Sequence, residues 1–182
     1  MTTFTISPAT SELDLQNIKK LFEAYAQSLG IDLTFQDFAR ELEGLPGKYS
    51  PPNGALLLAR SNETAESIGC VALRPLPATQ TSATTHEATN VYDSLATRSR
   101  STISEMKRLY VSPAGRGTGV GKALAVRVVQ EAKDLGFEAI RLDTLPSMEA
   151  ARALYRALGF REIEAYYETP LEGTIFLELT LR

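Results

Sequence analysis

Hydrophobic and polar positions recur along the chain with spacings that predict most of its elements. Phe4 and Ile6 alternate with threonines and predict a short first strand. Ile18, Phe22, Tyr25 and Leu29 fall on one face of a helix that Ser11 can cap and Gly30 ends. Thr34 opens a shorter helix carrying Phe38 and Leu42, closed by Gly44; residues 45–54, dense in Pro and Gly, read as a loop. Residues 55–60 and 68–73 are apolar runs of strand length joined by a polar turn. Further on, Glu105 begins another strand. Val120, Leu124, Val128, Ala132 and Leu135 then form a single helical stripe that stops at Gly136. Ala139–Thr144 reads as a strand, Pro146 and Ser147 start a helix with Ala151, Leu154 and Leu158 inward, and residues 160–163 and 175–181 complete the strands. The order β-α-α-β-β-β-α-β-α-β-β predicts an α/β fold, a mixed sheet with helices on both faces.

One stretch breaks the pattern. Residues 76–103 are rich in Ser, Thr and Ala, with Val91, Tyr92 and Leu95 the sizeable apolar side chains. Nearly thirty residues without clear periodicity inside a compact domain predict a surface insertion, either a plain loop or a lid over a substrate. The 182 residues otherwise suit one domain, spanning 1–182 and burying about 70% of the unfolded surface. A net charge of −3 gives no electrostatic reason to expect nucleic acid or an anionic membrane as partner. One cysteine and one histidine, Cys70 and His86, exclude an internal disulfide, a histidine triad and a Cys/His metal site, so no metal is expected. No targeting segment or apolar run of membrane length stands out, and the expectation is a cytoplasmic protein.

The chemistry is concentrated between Glu105 and Leu124. There a strand runs through a Pro/Gly turn into a helix, with Arg116, Gly117, Thr118, Gly119, Val120, Gly121 and Lys122 at the junction. Glycines at alternate positions let backbone N–H groups converge at a helix N-terminus, where the dipole also favours negative charge. That is a pyrophosphate cradle. A P-loop would need Gly at Arg116 and Ser or Thr at Ala123, and a dinucleotide fingerprint would need a third Gly at Lys122 or Val120.

The remaining pattern, Arg-x-x-Gly-x-Gly, preceded by Lys-Arg-Leu-Tyr-Val and followed by Ala151-Arg-Ala-Leu-Tyr-Arg-Ala-Leu-Gly-Phe160, resembles the GNAT superfamily of N-acetyltransferases. The resemblance is clear from Glu105 to Phe160. It implies a mixed, mostly antiparallel sheet of six to seven strands, with strands four and five splayed around acetyl-CoA. It also implies that main-chain groups of Leu109, Tyr110 and Val111 face the pantetheine and acetyl group, alongside the cradle of residues 116–122.

Acetyl transfer to an amine must also move protons. A primary amine of pKa about 10.4 is roughly 0.04% neutral at pH 7, so a base is needed. Glu105, eleven residues before Arg116, lies where several GNAT enzymes place a catalytic glutamate. Tyr155 matches the family tyrosine that protonates the leaving thiolate. Where relatives often carry an Asn seven residues before that tyrosine, this chain has Met148. Tyr25, Tyr49, Asp143 and Tyr166 lie on elements that flank the acceptor cleft in related folds. The reading is an acetyl-CoA-dependent N-acetyltransferase acting directly on a small-molecule amine, metabolite or amino-acid-like, with a homodimer compatible with the family. The alternatives are a protein lysine or N-terminal acetyltransferase and a non-catalytic acyl-CoA-binding module.

Overall fold

The computed structural model describes residues 3–31, 36–77 and 101–181. The expected helix start at Thr34 and most of the expected insertion lie outside them. The described elements are β1 (Phe4–Pro8), α1 (Glu12–Leu29), α2 (Phe38–Glu43), β2 (Ala55–Ser61), β3 (Ser67–Pro75), β4 (Ile103–Val111), α3 (Val120–Asp134), β5 (Ala139–Thr144), α4 (Glu149–Ala157), β6 (Arg161–Ile163) and β7 (Ile175–Thr180). The strands form one sheet in the order β1-β2-β3-β4-β5-β7-β6, antiparallel at every step except β4–β5.

Each helix follows from local sequence. Ser11 accepts a hydrogen bond from the Asp14 N–H while Asp14 accepts from the Ser11 N–H, both at 3.1 Å, and Gly30 ends α1 in the left-handed conformation. α3 buries Val120, Leu124, Val128 and Ala132 completely against β2, β3 and β5. A fully buried Val or Leu contributes about 1.5–3 kcal/mol. Its outer face carries an Arg127–Glu131 pair one turn apart. On α4, Ala151 and Leu158 are half-buried against the core as expected, Leu154 is half-buried outside that cluster, and the buried residue is Tyr155. Tyr155 packs its ring on Phe160, with centroids 5.6 Å apart.

The two faces of the sheet have separate cores. α3 and α4 cover one, with Leu57, Val71, Leu73, Met106, Ile140 and Leu142 beneath them. α1, α2 and the turn at Tyr49 cover the other, over Leu56, Leu58, Cys70 and Ala72. Cys70 is a buried core thiol, as its apolar neighbours predict.

Two irregularities in β4 position the site. Parallel pairing with β5 covers Ile103, Ser104 and Glu105 only, so from Met106 onward the strands diverge. On the other side, Cys70 pairs with Tyr110 and Ala72 with Lys107, leaving Arg108 and Leu109 together opposite Val71. This is a β-bulge, with Arg108 at φ 58°. A non-glycine residue held there costs about 1–3 kcal/mol. The extra residue puts Lys107 and Arg108 on the same face of the sheet, beneath α1 and α2.

Candidate active site

The glycine-rich junction forms as its sequence suggests. Gly117 and Gly119 are left-handed, at φ 77° and 85°, and space above them is open. Thr118 closes the turn by donating from Oγ1 to the Gly115 carbonyl at 2.7 Å. The helical ladder begins with the Ala123 N–H on the Gly119 carbonyl at 3.1 Å. Gly119 supplies no side-chain cap, so the first N–H groups of α3 keep their donors for whatever approaches. Arg116 is exposed beside them. The donor set suits a polyanion such as a pyrophosphate.

From this turn a groove runs between β4 and the start of α4, lined by Arg116, Val111, Tyr110, Leu109, Tyr25 and Met148. It opens into a chamber in the β4–β5 divergence, where Leu109, Lys107, Asp143, Tyr155, Tyr25 and Met148 meet. The residue found in place of the family Asn is therefore in the groove wall: Met148 Sδ lies 3.7 Å from the Thr144 hydroxyl. Tyr155 enters the chamber from the α4 face of the sheet, Lys107 and Asp143 from the α1 face. The divergence is the passage between them.

Burial raises the Tyr155 phenol above its ordinary pKa, with Tyr25 and Asp143 adding to the effect, so it stays protonated at neutral pH. Tyr25 is raised by burial too, partly offset by the Arg108 charge. Its ring is edge-on to Tyr110 with centroids 6.1 Å apart.

A second chamber adjoins the first on the α1 face, lined by Gln36, Glu41, Lys48, Arg74, Glu105, Lys107, Tyr167 and Glu168. Gln36 and Lys107 belong to both. Glu105 stands here as a buried, fully engaged carboxylate. Arg74 Nε and a terminal guanidinium nitrogen each lie 2.6 Å from its Oε2, and the Tyr166 hydroxyl donates to Oε1 at 2.9 Å. Lys107 Nζ is 3.8 Å from Oε1 and donates to Asp143 Oδ1 at 2.9 Å. Burial works against the Asp143 charge, but Lys107 and the nearby Tyr167 hydroxyl outweigh it and hold the carboxyl below its ordinary pKa. That hydroxyl is itself buried without a hydrogen bond of ordinary geometry, as is Gln36 Oε1.

The bulged Arg108 is held by Glu41 of α2 through two bonds, Nε–Oε1 at 3.0 Å and a terminal nitrogen to Oε2 at 3.1 Å. Lys48 and the Tyr49 hydroxyl donate to the same carboxylate at 3.0 and 2.8 Å. Burial raises the Glu41 pKa, yet the Arg108 and Lys48 contacts win and bring it to about 2. Tyr49 packs edge-on to Phe22 in the core.

The expected residues thus fall into three groups. Leu109, Tyr110, Val111 and Arg116 line the groove, Tyr25, Asp143 and Tyr155 meet in the first chamber, and Glu105 and Tyr166 join in the second. Tyr49 stands apart, tied to Glu41 beneath α2. Arg74, Lys107, Arg108, Glu41 and Tyr167 are part of the site without having been singled out from sequence. Arg74 had a signal, since it ends an apolar strand run with a charge; the bulge that turns Arg108 inward had none. Among the described residues no cluster of His, Cys, Asp and Glu could hold a metal ion, and no helix is long and apolar enough to cross a membrane.

Comparison with known proteins gives a consistent result. The model of the Acetyltransferase (GNAT) family matches residues 16–160. An uncharacterised N-acetyltransferase of Schizosaccharomyces pombe is 33% identical over 97% of this chain and 94% of its own length. One from Dictyostelium discoideum is 30% identical over 92% and 95%. A GNAT-family acetyltransferase from Staphylococcus aureus superposes with a TM-score of 0.70 at 19% identity, covering 98% of this chain and 99% of that one. A Salmonella typhimurium acetyltransferase structure that contains acetyl-CoA gives 0.62 at 19% identity, covering 99% and 95%.

Proposed function

The chain belongs to the GNAT family and is an acetyl-CoA-dependent N-acetyltransferase; we propose that its acceptor is the primary amine of a small metabolite or amino-acid-like molecule. The observation that carries this reading is one connected path. It leads from the glycine-rich turn along the groove to Tyr155, and through the β4–β5 divergence into a compact, charged chamber. A pyrophosphate would lie on the open N–H groups at the start of α3, with the cationic Arg116 and Lys122 adding charge-assisted contacts. The pantetheine arm would follow the main chain of Leu109, Tyr110 and Val111. Beyond Glu105 this edge of β4 pairs with no strand among the described residues, which leaves its backbone groups to a thioester carbonyl.

Tyr155 would give its proton to the departing thiolate, a role that suits a buried phenol held in its protonated form. Support for a small acceptor comes from the chamber walls. Gln36, Lys48, Arg74 and Tyr167 line it with polar and charged groups that suit a small polar amine. The test is acetyl-CoA turnover with a panel of amino acids, polyamines, amino sugars and lysine or N-terminal peptides, with products identified by mass. Acetylation of small amines in preference to peptides is expected. Acetylation of peptides alone would replace this reading with protein acetylation, and acetyl-CoA binding with no turnover would favour a non-catalytic module.

A further inference from the structure

Glu105 and Tyr155, the two residues a sequence reading pairs as base and acid, do not share a chamber. Tyr155 lines the chamber in the strand divergence, whereas Glu105 lines the neighbouring one. Glu105 is 1% exposed, and each of its oxygens already receives donors, from Arg74 on one and Tyr166 on the other. At that burial it offers an amine little room beside those donors. The carboxylate that does face Tyr155 is Asp143. Its side chain is 19% exposed and lines the Tyr155 chamber, with Lys107 on its Oδ1 and the Tyr167 hydroxyl as its other polar neighbour. The β4–β5 divergence lets a group on the α1 face of β5 look across at a phenol arriving from the α4 face.

We propose that Asp143 is the group that receives the acceptor's proton, and that Glu105 is a positioning residue acting through Lys107. The assignment rests on the acetyl-transfer reading given above. In the step, the amine nitrogen attacks the thioester carbon and its N–H proton passes to the Asp143 carboxylate. As the C–S bond breaks, the thiolate takes the Tyr155 proton. The Asp143 carboxyl then returns its proton to the tyrosinate, which restores both residues and leaves amide and free thiol. Lys107 keeps Asp143 ionised and turned toward the chamber, and Glu105 with Arg74 and Tyr166 keeps Lys107 in place from behind. The electrostatic reach of Asp143 onto both Tyr155 and Tyr25 agrees with this proximity.

The test compares Asp143→Asn, Asp143→Glu and Glu105→Gln across pH, using the best primary amine from the panel and confirming each fold by acetyl-CoA calorimetry. Asp143→Asn should lose about 10²-fold or more in kcat at pH 7. Its deficit should shrink toward high pH, where hydroxide can take the proton of the attacking nitrogen in place of the missing carboxylate. Asp143→Glu should recover part of the rate and the wild-type profile. Glu105→Gln should lose less and keep the shape of the wild-type profile. A pH-dependent deficit in Glu105→Gln, with Asp143→Asn following wild type, would overturn the assignment and return the base role to Glu105. Failure of wild type to acetylate any amine would remove the acetyl-transfer reading itself, and this one with it.

Discussion

Gly119 sits at φ 85° with nothing within 4 Å of where a Cβ would stand, so a side chain there would project into the space over the open N–H groups. Aspartate tolerates the left-handed conformation better than most residues. Gly119→Asp should therefore keep the fold at a cost of about 1–3 kcal/mol and weaken acetyl-CoA binding by at least 10-fold, through charge repulsion at the pyrophosphate. Calorimetry on the folded variant checks this. Glu41 makes a second residue-scale prediction. Its pKa falls from 4.5 to about 2 on folding, so the stability it contributes is complete above about pH 4.5 and drains away as pH falls toward 2. Glu41→Gln should flatten that part of the stability-versus-pH curve. Glu41→Ala, which leaves Arg108 buried without its partner, should cost about 3–5 kcal/mol, read from urea melts at neutral pH. Single residue types were legible where a motif fixes them, as at Gly119 and Tyr155. Lys107, Arg108 and Tyr167 were not, because their inclusion depends on strand register and on a bulge that alternation does not encode.

Close approach between elements explains why further glycines are needed. A Cβ on Gly115 would stand 2.8 Å from the Ile68 carbonyl and one on Gly69 2.9 Å from the Tyr110 carbonyl, so the turn before α3 and the strand beneath it can approach only without side chains. Gly115→Ala should destabilise the fold by about 1–3 kcal/mol and should also lower acetyl-CoA affinity, since it shifts the cradle relative to β4. Denaturant melts and calorimetry on the same variant separate the two effects. Elements with a strong apolar rhythm were legible almost to the residue: the Val120 to Ala132 stripe is buried throughout, and β5 has the predicted bounds. The α4 face was misjudged because Leu154 looked like the core residue and Tyr155 like a functional one, whereas Tyr155 serves packing and chamber at once. The β4–β5 divergence came from family resemblance alone; nothing in the run from Glu105 to Val111 announces that pairing stops after three residues.

At the scale of the molecule, the sheet is a frame with one gap, between β4 and β5 beyond Glu105, and the proposed chemistry lies where the two faces meet through it. The account predicts that this frame stands without the segment 78–100. Pro75 pairs with Ser104, and the Leu76 N–H donates to the Ile103 carbonyl at 2.9 Å, so the chain leaves β3 and enters β4 side by side. Replacing residues 78–100 by a short Gly/Ser linker changes loop-closure entropy by about 1 kcal/mol. A cooperative thermal melt and acetyl-CoA affinity within a few-fold of wild type are expected; loss of the folded state would show that Val91, Tyr92 and Leu95 belong to the core. The central claim is that acetyl-CoA lies along the groove and gives its acetyl group to an amine beside Tyr155. The most direct test is amine-dependent release of free thiol by wild type and Tyr155→Phe, a change that keeps the packing on Phe160. The account predicts release by wild type that depends on the amine, and a fall of about 10²-fold in Tyr155→Phe with unchanged acetyl-CoA affinity. Equal rates in the two proteins, or no amine-dependent release by wild type, would contradict it.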